Sequence, residues 1–176
     1  MRYTTHILLA LALVACDAPC DPSTGVICTI VGNGDNGYDR DADDTPYPAL
    51  EARLSLPQDI LEEPDGELLI LDWNNHRLRE LTADGQLRWV AGRGELGGSL
   101  DDPANGDFNH PTNMILDETG TQLIMAAWHN SKIRVVDLAT GEVADSCGDG
   151  RRAYFGDGGP ALTATLALPP SIAFDP

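Results

Sequence analysis

The sequence is short of basic residues: 11 lysines and arginines stand against 28 aspartates and glutamates in 176 residues. A formal charge of −17 repels polyphosphates and anionic headgroups, which argues against nucleic acid as a partner and against an electrostatic hold on a membrane. Cysteine is scarce as well. Four are present and none forms a C-x-x-C, so a zinc site built on thiolates is not expected. The longest apolar run, residues 7–15 (ILLALALVA), is too short to span a bilayer. Outside that run no window carries a 3.6-residue period, so helices are not expected either. No Ser-His-Asp or Cys-His arrangement stands in a supporting motif.

What is present begins at the N-terminus. Arg2, the apolar run and a small residue before Cys16 follow the order of an export signal. Leu13-Val14-Ala15-Cys16 resembles the lipobox of bacterial lipoproteins. The resemblance implies cleavage before Cys16, diacylation of its thiol and a place in the bacterial cell envelope, with the lipid as the only membrane attachment. Loss of residues 1–15 removes one basic residue, Arg2, and takes the formal charge from −17 to −18. Cys20, Cys28 and Cys147 then remain in a compartment that permits disulfides. Cys20 and Cys28 close a short loop containing Pro22 and Gly25 and are the expected bridge, which leaves Cys147 odd. Residues 16–25 read as the lipidated cysteine and a linker, and residues 26–176 as the folded segment.

That segment repeats. PALEARLSLP (48–57) and PALTATLALP (160–169) agree at seven of ten positions across an offset of 112 residues. Half that offset predicts a middle copy, and DFNHP (107–111) supplies it in worn form. Leu54, Phe108 and Leu166 each stand three residues before a proline. WNNHRLREL (73–81) aligns with WHNSKIRVV (128–136), and Gly-x-Gly turns recur at 32–34, 92–94 and 148–150. Each copy reads as four short strands: 59–61, 68–71, 77–81 and 87–91 in one, 114–116, 123–126, 132–136 and 143–147 in the next. The second strand is apolar enough to be buried on both faces, and the third alternates basic and aliphatic residues as a half-exposed strand should. Four strands per repeat, separated by Asp-Gly and Gly-x-Gly turns, is the pattern of a β-propeller blade.

DWNNHRLREL (72–81) resembles the NHL repeat signature, and FGDGGPALTATLALP (155–169) resembles the loop between successive NHL blades. FNHPTNMILD (108–117) is similar to the start of such a blade. Two departures stand out: DRDADDTPYPAL replaces GDGGPAL in the first copy, and Ala127 stands where Asp72 would recur. The resemblance implies an all-β, NHL-type propeller of which this chain carries a part. Complete blades are expected at 57–91 and 112–147, with an incomplete third from 170. Residues 27–31 are expected to be the closing strand of a blade whose other strands are absent, and 171–174 the first strand of the third.

Function is less constrained than fold. GNGDNG (32–37) and GRGELG (92–97) satisfy G-x-G-x-x-G, but no helix follows to hold a pyrophosphate, and recurrence at the repeat period marks them as turns. Asp39, Asp41 and Asp43 have the spacing of a calcium loop, yet Asp44 and Leu50 stand where an EF-hand needs glycine and glutamate. The alternatives are an irregular calcium site and a solvated acidic loop, with the second favoured. Of the histidines, His76 and His110 sit at repeat positions and His129 has no counterpart. A metal site using His110 or His129 at the propeller mouth is a minor alternative. Trp73 and Trp128 share a repeat position just past the second strand, where an indole either packs between blades or is presented on the loop face with His76 and His129. The reading favoured by these residues is an exported, lipid-anchored binding scaffold for a protein, peptide or glycan, needing no cofactor. The alternatives are part of a metal-dependent six-bladed propeller enzyme of lactonase or lyase type, and a non-functional gene remnant.

Overall fold

In a computed structural model of the chain, the residues described are 25–37, 45–100 and 106–175. They build two antiparallel sheets. The second is a plain meander of β6 (Asn113–Leu116), β7 (Gln122–Ala127), β8 (Lys132–Asp137) and β9 (Val143–Cys147). The first contains β2 (Asp59–Glu62), β3 (Leu68–Asp72), β4 (Arg77–Leu81) and β5 (Gln86–Ala91) in the same order, and gains β1 (Tyr47–Pro48) outside β5. Short glycine turns force neighbouring strands to pair. Gly66, Gly85 and Gly120 each take a positive φ and donate an N–H back to Glu63, Thr82 and Asp117 at 2.9, 2.9 and 3.1 Å. All eight strands expected from the apolar segments are present.

The two sheets pack face to face as consecutive propeller blades. Leu69, Leu71, Leu78, Val90 and Ala91 of the first share one core with Met114, Leu123, Met125, Ala127, Val136 and Val143 of the second, and Phe108 fills the seam. Ile70 and Leu87 face the other way, onto Ala49 and Ala52, so β3 is buried on both faces as its composition requires. The innermost strands are stitched by a side chain: Asp59 Oδ2 accepts the Met114 N–H and Asn113 Nδ2, both at 2.9 Å.

The repeated decapeptide is a clamp. Its Ala-Leu-x triplets, Ala49–Glu51 and Ala161–Thr163, form single 3-10 turns whose first carbonyl and C-cap carbonyl catch the preceding Gly-x-Gly turn. Gly32 and Asn33 donate to Ala49 and Ala52 at 2.9 and 2.8 Å; Gly148 and Asp149 donate to Ala161 and Ala164 at 3.0 and 2.9 Å.

Three details differ from the sequence reading. Residues 27–31 join no ladder, and Ile27 is almost wholly exposed, because a closing strand is held only by an inner neighbour and none of the described strands offers one. Residues 171–174 also lack a ladder, although Ile172 N–H donates to Asn113 Oδ1 at 2.8 Å, as Met114 does to Asp59. Finally, β4 is not half-exposed: Arg77, Arg79 and Glu80 are buried with Leu78 because ion pairs and carbonyls meet their charges.

Candidate functional site

Two kinds of loop meet at the end of the blades where the second strand turns into the third. In each blade the second strand runs into a 3-10 turn that opens on tryptophan, Trp73–Asn75 or Trp128–Asn130. Each turn closes on a left-handed residue, His76 (φ 54°) or Ser131 (φ 53°). The lead-in segment of the blade runs alongside. Its residue before proline is also left-handed in all three copies: Leu56, His110 and Leu168, at φ 53°, 52° and 55°. Residues of this kind rarely adopt that conformation, so the surroundings must impose it. Backbone lacing does so: Asn74 N–H donates to Ser55 O and His129 N–H to Asn109 O, each at 3.1 Å. Close packing beneath demands glycine, since a Cβ on Gly92 would lie 2.4 Å from His76 O and one on Gly148 would lie 2.5 Å from Ser131 O.

This geometry drops His110 between the turns of the two blades. Its backbone N–H donates to His76 Nδ1 at 3.3 Å. Its own Nδ1 lies 2.8 Å from Asn109 Oδ1 and 3.0 Å from His129 Nδ1. Rings close the group: Trp73 and His110 centroids are 4.3 Å apart, and His76 and His129 meet His110 edge-on at 4.5 and 4.8 Å. Trp128 stacks on His129 at 3.9 Å with 21° between the planes. Three imidazoles and two indoles thus form one patch across the blade junction.

The imidazoles are held neutral. Burial, followed by the neighbouring His110 and His129, pushes His76 down to about 4. Burial and His129 lower His110, and burial with the Arg152 charge lowers His129. The patch is therefore uncharged near pH 7 on a strongly acidic protein. It can stack, donate and accept hydrogen bonds, and offer imidazole lone pairs. Among the described residues no three His, Cys, Asp or Glu side chains are placed to hold one metal ion.

Trp73, His76, Trp128 and His129 are thereby brought together. The addition to that set is His110, which the sequence marked as the residue before a repeat proline and as a minor metal-ligand alternative. Its signal was the repeat register, which sets that residue beside the 3-10 turn of the preceding blade. Asp39, Asp41 and Asp43 lie outside the described residues, as do Cys16 and Cys20. Cys28 is disulfide-bonded, and Cys147 is a free thiol. No helix among the described residues is long and apolar enough to cross a membrane.

No family model matches the sequence, and no curated protein matches it. Solved structures do. A structural genomics protein of unknown function from Bacteroides thetaiotaomicron is 22% identical with a TM-score of 0.54, over 69% of this chain and 31% of its own. An auxiliary nutrient binding protein from Bacteroides ovatus is 19% identical with a TM-score of 0.51, over 66% and 32%. A virginiamycin B lyase from Staphylococcus aureus is 20% identical over 52% of this chain and 29% of its own, with a TM-score of 0.39. The chain spans about a third of the length of the first two. At these identities the likeness establishes fold alone: the two sheets are blades of a β-propeller.

Proposed function

We propose that the chain is an exported NHL-repeat scaffold, lipid-anchored through Cys16 in a bacterial envelope, that binds a protein, peptide or glycan on its loop face. In this reading it is a binding protein rather than a catalyst. The observation that carries the reading is the Trp73–His76–His110–Trp128–His129 patch. Half-buried indoles next to uncharged imidazoles suit a neutral, partly apolar ligand that stacks and hydrogen-bonds, and loop faces on rigid scaffolds are where such ligands dock. Calcium on Asp39, Asp41 and Asp43 would be an addition to this reading, not a requirement of it.

Probing glycan and random-peptide arrays with the mature chain tests the binding. Hits lost in Trp128→Ala, with the circular dichroism spectrum kept, support the loop face; an identical hit pattern moves the site elsewhere. The anchor is tested separately by feeding radiolabelled palmitate to an expressing bacterium. The label is expected on the wild type and absent from Cys16→Ser, and an unlabelled wild type overturns the lipid anchor.

A further inference from the structure

We infer that the three-histidine cluster is an acid-sensitive clasp across the junction of the two blades, closed while its imidazoles are neutral and opened by their protonation. The inference stands on the cluster's geometry and does not need the proposed ligand.

The stereochemistry is restrictive. His76 Nδ1 accepts the backbone N–H of His110, so it must present a lone pair and keep its hydrogen on Nε2. A second proton on His76 would set two N–H groups against each other and remove a bond that ties the first blade's turn to the second blade's lead-in. His110 and His129 are limited in the same way. Their Nδ1 atoms face each other at 3.0 Å, and Asn109 Oδ1 stands 2.8 Å from the His110 nitrogen. One hydrogen satisfies that contact, donated by either ring. Two hydrogens, as in a pair of imidazolium rings, cannot occupy it. The fully protonated cluster is therefore incompatible with the closed arrangement.

The surroundings give no compensation. Against the rings stand Trp73 from the first blade's turn, Asn109 from the lead-in and Trp128 from the second blade's turn. The charges that act on the rings are those of the histidines themselves and of Arg152, all of one sign. Among the described residues no carboxylate contributes to stabilising their protonated forms. Below the ordinary imidazole range the unfolded or opened chain takes up protons that the closed cluster refuses. The sign follows. Stability present above about pH 6.5 is lost progressively as the pH falls towards about 4, where His76 finally titrates. The device belongs to this junction alone among the copies, since Ser131 replaces His76 one blade on and Leu56 and Leu168 replace His110.

Trp128 stacked on His129 and Trp73 beside His110 make the cluster its own reporter, because protonated imidazole quenches indole fluorescence. The experiment follows the mature chain from pH 8 to pH 4 by tryptophan emission and by NMR of the histidine ring protons. His110→Leu, which restores the residue of the other copies, and His76→Gln are measured alongside. The expected result is a wild-type emission change between pH 6.5 and 4, with ring titrations displaced below 6.5, and loss of most of that change in His110→Leu. Glu63 titrates in the same window but is present in both proteins and cancels in the difference. If either variant does not fold, the other decides; if neither folds, the wild-type NMR titration decides. Three histidines titrating together near 6.5 with steady emission, or an unaltered transition in His110→Leu, would overturn the inference.

Discussion

The two blades bury an arginine at the same repeat position and answer its charge in different ways. In the first, Arg79 Nε lies 3.3 Å from Asp72 Oδ2, with side-chain exposures of 1% and 0%. Asp72 at the end of β3 also accepts the Ser55 N–H and Asn75 Nδ2, each at 2.8 Å. In the second blade Ala127 holds the Asp72 position. Arg134 turns outward to Asp145 on β9, with Nε to Oδ1 at 3.0 Å, and donates to the carbonyls of Gly98 and Asp107. The lead-in N–H that Asp72 would have taken belongs to Asn109, and Asn130 Oδ1 accepts it at 3.0 Å. What the fold keeps is a buried cation and an acceptor for the lead-in N–H; which side chain supplies the anion is free to move between strands. The burial cost is visible in both blades, raising Asp72 against the pull of Arg79 and lowering Arg134 against that of Asp145. A second contrast lies on the other side of the sheets. The Glu63, Glu80 and Arg88 group of the first blade is matched by Asp117, Val135 and Ala144 in the second.

Breaking the first contrast gives the largest effect. Asp72→Ala makes the first blade resemble the second without supplying Asp145 or the Asn130 acceptor geometry, and removes the buried ion pair of Arg79 with Asp72. A loss of about 3–5 kcal/mol is expected by urea unfolding. Asp145→Ala removes the anion for Arg134, but that guanidinium keeps two carbonyls and Asp145 is 21% exposed, so about 2–3 kcal/mol is expected. Next come the asparagines. Asn130→Ala orphans both the Asn109 N–H and the Gly97 carbonyl and should cost about 1–3 kcal/mol. Asn75→Ala leaves the Ser55 N–H with Asp72 and should cost about 0.5–1.5 kcal/mol. Equal losses in the two would mean that Asn130 has not taken over the part of Asp72.

The smallest effect concerns pH. Burial and the nearby Glu80 push Glu63 up to about 7 from an ordinary value of 4.5. A raised acid favours the folded state while protonated, so its contribution is present below about 4.5 and lost as the pH rises through about 7. Glu63→Gln should therefore raise Tm by a few degrees at pH 8 and by nothing at pH 4. Asp117→Asn, at the matching position, should show no gain at pH 8, because the Thr119 hydroxyl and then backbone N–H groups already hold that carboxylate low.

Fold was far more legible than site. Gly66, Gly85 and Gly120 mark turns that the chain must make whatever surrounds them, and the apolar segments between them have no other local solution than antiparallel strands. The decapeptide copies were readable as repeats but not as clamps, because the bonds of Gly32 to Ala49 and Gly148 to Ala161 join segments well separated in the chain. Arg79 and Arg134 were not readable either. An alternating RLREL or KIRVV reads as half-exposed when a charge is taken to mean water, and only a carboxylate on another strand reverses that. β1 escaped notice because two residues of a lead-in carry no pattern of their own.

By itself the sequence determined the repeat and the strand meander, since both are settled by tight turns and by pairing between strands adjacent in the chain. The tertiary structure decided which anion meets each buried arginine and which side chains share the loop face. His76, His110 and His129 belong to three separate loops, and nothing in their spacing sets the rotation of one sheet against the next. Packing of Phe108 and the two sheet faces into one core sets that rotation, and the histidine cluster follows from it.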